Sequence, residues 1–166
     1  MNHIDENGLR LCRAQGEIFE RSLTETDCSS AVFLRRYMNS RFASRMDSQA
    51  YLFASGSITD VFAELDAQYG KSEYGTIRYG SEELYWMGYL YRYWCLSRRL
   101  TSKQVYRMMK PADLRTLYFP YHSLDPEQAV ERICETLNTG RTDDIARGVE
   151  ILRRIMRKNA KPSRLS

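Results

Sequence analysis

The sequence predicts an all-α fold, a single compact bundle of about six helices with at most one short extended segment near residues 74–79. Three observations indicate this fold. Apolar residues recur three and four positions apart along most of the chain, which is the spacing of one helix face. Residues that can cap a helix, such as Ser, Thr and Asp, precede these apolar stretches. Signals for a β-strand are scarce and are limited to the segment near 74–79.

The predicted helices follow one another with short connections, each assigned from a cap, an apolar face and an ending such as glycine or proline. The clearest start lies at residues 125–128, where an acidic cap precedes a proline in the first helical position and a glutamine completes a capping box. In chain order the main helices cover residues 5–23, 30–46, 57–70, 81–97, 125–138 and 142–156, with shorter helical elements at 101–110 and 112–118.

The densest apolar stretch is the aromatic helix at residues 84–96, in which Arg92 is the one charged residue. A helix that is apolar almost all the way round packs against neighbours on several sides, so we expect it at the centre of the fold. Gly88 lies in its middle, although glycine is about 1 kcal/mol less favourable there than alanine. We therefore expect another backbone to approach closely at Gly88. A protein interface and a platform for stacked bases are the two alternatives for this helix.

Length and composition fit one globular domain. The chain has 166 residues, of which 43% are hydrophobic, and this is enough apolar material for one core. We expect a single helical domain over residues 1–158. The last residues, 159–166, carry basic side chains and are expected to form a flexible tail.

Several features favour a cytoplasmic protein that does not enter membranes. No apolar run reaches the roughly 18 residues needed to cross a bilayer, because Arg and Lys interrupt each one. The first seven residues lack the basic and apolar parts of a secretory signal. The four cysteines are far apart and form no CxxC pair, which favours reduced, buried thiols.

The sequence contains no recognisable catalytic constellation. His122 is the one histidine within the body of the chain, and neither a zinc motif nor a phosphate-binding glycine loop is present. His122 and Asp125 are close enough in sequence to form a base and its orienting partner. However, capping the following helix already accounts for Asp125. We therefore expect no enzymatic activity, no metal and no cofactor.

Candidate partner-binding residues follow from the charge and aromatic pattern. The net charge is +4, and arginines are concentrated at 35–45 and from residue 147 onward. Arginine and aromatic side chains anchor protein interfaces because they combine a large contact area with directional hydrogen bonds. The residues predicted to bind a protein partner are Arg35, Arg36, Tyr37, Arg41, Tyr118, Tyr121 and His122.

Nucleic acid is the alternative partner. Residues 82–118 combine a long helix with short turns and short helices, a pattern that a helix-turn-helix would show. Against this interpretation, the turn at 110–112 has no glycine, and Asp113 would meet phosphates unfavourably. The residues predicted for nucleic-acid binding are Lys103, Arg107, Arg153, Arg154, Arg157 and Lys158.

The segment from residue 84 to 133 carries a resemblance. Its aromatic block at 85–94 is followed by a short helix with the sequence TSKQVY, by Tyr121-His122 and by a helix that begins DPEQAV. These features resemble small uncharacterised helical proteins of bacteria that are encoded beside ADP-ribosyltransferase-like toxins. The resemblance implies a partner-binding role, as the antitoxin-like or accessory member of a two-gene system, and identifies no catalytic residue.

The sequence thus predicts a non-catalytic protein-interaction module, with a nucleic-acid-binding regulator as the alternative. Homodimerisation through the aromatic helix stays open. The two functions differ in their response to salt, because phosphate contacts weaken steeply with salt and an apolar interface does not.

Overall fold

The computed structural model describes residues 3–49 and 58–138, together with residues 150, 153, 154 and 157. These residues contain nine α-helices and no strand, so the predicted all-α bundle is confirmed with more helices than the six expected. The predicted tail at 159–166 and most of the last predicted helix lie outside the described residues. The helices are α1 (Glu6–Glu25), α2 (Ser30–Met38), α3 (Arg41–Asp47), α4 (Ile58–Tyr69), α5 (Ser81–Arg98), α6 (Ser102–Met108), α7 (Pro111–Thr116), α8 (Tyr118–Tyr121) and α9 (Pro126–Asn138).

The additional helices arise where a predicted element is divided in two. The predicted helix at 30–46 is two helices, because the Ser40 side chain accepts a hydrogen bond from the backbone N–H of Ala43 at 3.0 Å and begins α3. The predicted element at 112–118 is likewise divided. Pro111 begins α7, and Leu117 separates this helix from α8.

The centre of the fold is the contact between α1 and α5. A Cβ atom on Gly88 would lie 2.5 Å from the backbone oxygen of Gln15, so no larger residue fits there without displacing α1. A Cβ atom on Gly16 would lie 2.9 Å from the Tyr85 ring. The prediction that another backbone approaches Gly88 is confirmed, and that backbone belongs to α1.

An aromatic cluster fills the core beside this contact. Phe19 of α1 lies edge-on to Phe33 and Tyr37 of α2, with ring centroids 5.7 Å and 5.0 Å apart, and to Tyr91 of α5 at 6.4 Å. All four rings are buried. Edge-to-face pairs of this kind add about 1 kcal/mol each to the free energy of burial. The apolar faces of α1, α2 and α5 therefore share one core.

The segment between α4 and α5 is a loop that closes over the end of α1. The predicted extended segment at 74–79 lies in it and forms no strand. The backbone N–H groups of Ser29 and Ser30 donate to the carbonyl oxygens of Tyr74 and Ile77, at 2.9 Å and 3.0 Å. The Arg78 guanidinium donates to carbonyl oxygens at and beyond the end of α1, which a helix leaves without partners. These acceptors belong to Ser22, Leu23, Thr26 and Cys28.

None of the described helices combines the length and the apolar character that crossing a membrane requires.

Candidate protein-binding surfaces

A buried polar network joins five helices around Arg92. The Arg92 side chain is fully buried, and its Nη1 donates to Asp47 Oδ1 at 2.7 Å. Its Nε and Nη2 donate to Gln15 Oε1 at 3.0 Å and 2.8 Å, and Nη2 also donates to Ser102 Oγ at 2.8 Å. Tyr37 completes the network by donating its hydroxyl proton to Gln15 Oε1 at 3.1 Å.

The network also anchors the start of α6. Asp47 accepts hydrogen bonds from the backbone N–H of Ser102 at 3.0 Å and from its hydroxyl at 2.6 Å. A carboxylate at a helix N-terminus is stabilised by the exposed amides there. The Asp47 side chain is largely buried, with 15% of its surface exposed to solvent. Every charge in this cluster therefore has a partner within the fold, and its role is to hold α1, α2, α3, α5 and α6 together.

A cleft of about 460 Å³ opens beside this network, lined in part by His3, Asp47 and Arg92. Two of its lining residues, Gln49 and Arg99, adopt left-handed backbone with φ of 60° and 52°. Each of them follows the last turn of a helix, α3 or α5. Left-handed residues at that position commonly end helices, so helix termination accounts for this conformation.

Three of the predicted arginines converge on one surface, the arginine patch, formed by Arg35, Arg36 and Arg41 around Tyr69. Arg36 lies over the Tyr69 ring at 5.5 Å and donates to the Gly70 carbonyl oxygen at 2.6 Å. Burial raises the pKa of Tyr69, and the positive charges of the three arginines oppose this rise. The sequence identified these cations but not the ring between them, because Tyr69 lies in α4 and the packing of α2 against α4 brings it there.

Tyr37 lies apart from the other predicted partner-binding residues. Its ring is fully buried in the aromatic cluster, and its hydroxyl belongs to the Arg92 network. Burial raises the pKa of the Tyr37 hydroxyl despite the nearby positive charge of Arg92. A partner cannot reach Tyr37 in the folded protein, so its place is in the core rather than at a binding surface.

The late aromatic residues form a second surface, the aromatic edge, made of Trp86, Tyr118, Phe119 and His122. The Tyr118 and His122 rings are stacked with centroids 4.6 Å apart, and Trp86 meets Tyr118 edge-on at 5.7 Å. Phe119 projects from α8 with 72% of its surface exposed. The predicted residue Tyr121, by contrast, packs against the core. The sequence interpretation missed Phe119, whose exposure no local sequence signal marks.

His122 is held by its own turn of helix. Its Nδ1 lies 2.9 Å from the Tyr118 carbonyl oxygen and 3.0 Å from that of Phe119, and since a carbonyl only accepts, Nδ1 carries the proton. Asp125 Oδ1 accepts from the backbone N–H of Glu127 at 2.9 Å, in its predicted role at the start of α9. His122 and Asp125 therefore have separate partners and are not paired with each other.

A third surface, the tyrosine strip, consists of Tyr85, Tyr89 and Tyr93 on α5. The three rings follow one another at single helical turns, with centroids 6.4 Å and 6.5 Å apart. They are half-buried, whereas the opposite face of α5, including Met87 and Tyr91, is fully buried. One face of the aromatic helix is therefore buried in the core, and another is accessible to solvent. The four-residue spacing of these tyrosines is the sequence signal that could have separated the two faces.

The residues predicted for nucleic-acid binding are dispersed. Lys103 and Arg107 are exposed on α6. Arg153 and Arg157 line a groove of about 600 Å³ with Ile77, and Arg154 pairs with Glu150 at 3.8 Å. Lys158 lies outside the described residues.

Among the residues that the structure describes, no group of three or more His, Cys, Asp or Glu side chains could hold a metal ion. No family model, curated protein or solved structure matches the chain.

Proposed function

We propose that this chain is a non-catalytic protein-interaction module that binds a partner protein through the aromatic edge. One observation carries the proposal. Phe119 exposes 72% of its surface beside a stacked pair of rings, although burying a phenylalanine stabilises a protein by about 2 kcal/mol. Aromatic side chains, phenylalanine among them, are enriched at protein interfaces.

The surroundings of Phe119 support the same function. The Tyr118 hydroxyl donates to Glu82 Oε2 at 3.3 Å, and His122 is fixed by its hydrogen bonds to α8, so both rings are oriented before a partner arrives. A preorganised aromatic surface loses little conformational entropy on binding. The His122 Nε2 atom remains as a polar contact at the rim. The resemblance to proteins encoded beside toxin-like genes extends the proposal, with the neighbouring gene product as the partner.

The nucleic-acid alternative has weaker structural support. In a helix-turn-helix, residues near the N-terminus of the recognition helix contact the bases. Here the N-terminal amide of α6, at Ser102, is occupied by Asp47, whose negative charge would repel a phosphate approaching that end. Lys103 and Arg107 are the two cations of α6 that remain for contact with a nucleic acid.

An affinity capture from the native host tests the proposal. Tagged protein is recovered from lysate with and without nuclease, and both proteins and nucleic acids are identified. We expect one protein in stoichiometric amount, unaffected by nuclease and by salt. Recovery of nucleic acid in a salt-sensitive manner, with no protein partner, would overturn the proposal.

Two exposed aromatic residues provide a matched pair of variants. Phe119→Ala is expected to weaken binding of the recovered partner by about thirtyfold, the effect of losing a residue worth about 2 kcal/mol at an interface. Tyr74→Ala removes a ring that is equally exposed, at 76%, but lies in the loop before α5. It should leave binding unchanged. Equal affinity of the two variants in isothermal titration calorimetry would show that the aromatic edge is not the binding surface.

A further inference from the structure

The tyrosine strip is a continuous row of accessible rings. Tyr85, Tyr89 and Tyr93 occupy two turns of α5, and the planes of Tyr89 and Tyr93 are within 17° of parallel. At about 1.5 Å per residue, the strip is roughly 12 Å long. This length matches two turns of a helix or four residues of an extended segment.

The strip differs from the tyrosines of the core in its hydroxyl groups. The buried Tyr37 and Tyr91 hydroxyls donate to Gln15 Oε1 and to the Met109 carbonyl oxygen, at 3.1 Å and 2.7 Å. Within the described residues, the three hydroxyls of the strip have no hydrogen-bond partner in the protein. A tyrosine with a packed ring and a solvated hydroxyl is well suited to a protein interface.

The neighbours of the strip are mainly acidic. Burial raises the pKa of Tyr85, and Glu17 and Glu20 of α1 raise it further. At the other end, burial together with Glu127 and Asp125 raises the pKa of Tyr93 to about 12. Carboxylates from two separate elements therefore flank the rings on both ends.

One cation, Arg13, acts against these carboxylates. Burial raises the pKa of Tyr85 and Tyr89, and the positive charge of Arg13 opposes this rise. Its guanidinium Nη2 already lies 2.5 Å from Glu6 Oε1, so its charge is partly neutralised. Among the charged groups that act on the three rings, four carboxylates are therefore opposed by one guanidinium, in contrast to the arginine patch.

Aromatic ring faces and carboxylates together attract cations. The face of a tyrosine ring carries negative potential and holds an Arg or Lys side chain within about 6 Å of its centroid. The same carboxylates would repel the phosphates of a nucleic acid. They would also oppose a symmetric dimer through the strip, because a two-fold axis would place the acidic neighbours of one copy against those of the other.

We propose that the tyrosine strip is a second docking surface, which binds a lysine- and arginine-rich helical segment of a protein partner. Cationic side chains of that segment lie over the Tyr85, Tyr89 and Tyr93 rings, and their charges pair with the flanking carboxylates. The surface is separate from the aromatic edge, and binding at one does not depend on binding at the other.

A peptide titration followed by NMR tests this inference on the full chain. The probe is an amphipathic helical peptide of lysine and leucine with about 18 residues, long enough to form a helix on its own. The control peptide has glutamate in place of every lysine. We expect amide shifts at residues 13–20, 85–93, 125 and 127 with the lysine peptide only. Shifts confined to other regions, or equal binding of both peptides, would overturn the proposal.

Charge variants separate this surface from general attraction between a basic peptide and an acidic protein. Glu17→Gln combined with Glu127→Gln removes two flanking charges and should raise the Kd about fivefold, the effect of losing two exposed ion pairs. Asp66→Asn combined with Glu73→Gln removes two charges near Arg36 and should not change the Kd. An equal effect of the two double variants contradicts the proposal.

Ring variants test the aromatic contribution. Tyr89→Phe keeps the ring face, so the Kd should stay within about twofold of the original value. Tyr89→Leu keeps apolar volume but removes the ring, and it should raise the Kd about threefold. Thermal melting of each variant shows that its fold is intact. Identical affinities of the two ring variants would rule out a cation–π contact at this position.

Discussion

Arg92 lies in the core, although its charge alone would place it at the surface. It is the one charge in the aromatic helix, and a surface position would be the simple expectation for a guanidinium. Instead it is fully buried, with Asp47, Gln15 and Ser102 as partners. The sequence could not identify these partners, because they lie 45, 77 and 10 residues away. The exposed Arg35, Arg36 and Arg41 were predictable as cations, but their convergence on Tyr69 depends on helix packing.

We predict that Arg92→Met lowers the free energy of unfolding by about 3 to 5 kcal/mol, because it leaves Asp47 and Gln15 buried without their cation. Arg45→Met is the matched control. Arg45 pairs with Glu64 at 2.5 Å, but both side chains are 44% exposed, so its loss should cost less than about 1 kcal/mol. Urea denaturation followed by circular dichroism measures both values, and similar losses for the two variants would contradict the assigned role of the network.

At the scale of elements, local signals located the helices well and their ends less well. Local signals predicted the starts of α5, α6 and α9 close to where they occur: acidic residues in the first turn for α5 and capping residues for α6 and α9. The division between α2 and α3 was missed because Ser40 can occupy a helix interior as readily as a cap. The end of α1 was predicted within two residues, but the donor that contacts its last carbonyl oxygens was beyond local reasoning. That donor is Arg78, more than 50 residues along the chain.

We predict that Arg78→Met destabilises the protein by about 2 kcal/mol, because carbonyl groups at the end of α1 lose a cationic donor. Arg78→Lys should restore less than half of this loss, since an ammonium group lacks the planar fork that reaches several carbonyls at once. Hydrogen exchange should show faster exchange in the last turn of α1 for both variants. Arg98→Lys, at an exposed position in the last turn of α5, is the control and should change stability little.

At the scale of the whole molecule, buried thiols and phenols couple stability to alkaline pH. Burial raises the pKa of Cys12 from 9.0 to about 12 and that of Cys95 from 9.0 to about 11, while the nearby Arg92 opposes both shifts. Burial also raises the pKa of Tyr91 well above its usual value of 10.0. In the unfolded chain these groups titrate at their ordinary pKa. Above pH 9, therefore, the folded state holds more protons than the unfolded state, and stability falls as pH rises.

The two thiols alone should lower the free energy of unfolding by about 2 to 3 kcal/mol for each pH unit between pH 9.5 and 11, at about 1.4 kcal/mol per group. Thermal melting across this range measures the slope. Cys95→Ala removes one titrating group, so its stability should fall less steeply with pH even if it starts lower. A stability that is constant from pH 8 to 10.5 would show that these thiols are not protected in the native state.

The close contact of α1 with α5 also governs when the chain can fold during translation. Gln15 donates a hydrogen bond to the Gly88 carbonyl oxygen across 73 residues of sequence. At synthesis rates of about 5 to 20 residues per second, the first helix waits roughly 4 to 15 s for its partner to be made. During that interval the apolar face of α1, including Leu11, Ile18 and Phe19, has no core to enter. This protein would therefore most need a chaperone while α1 has been made and α5 has not. The native fold assembles only once α5 has left the ribosome.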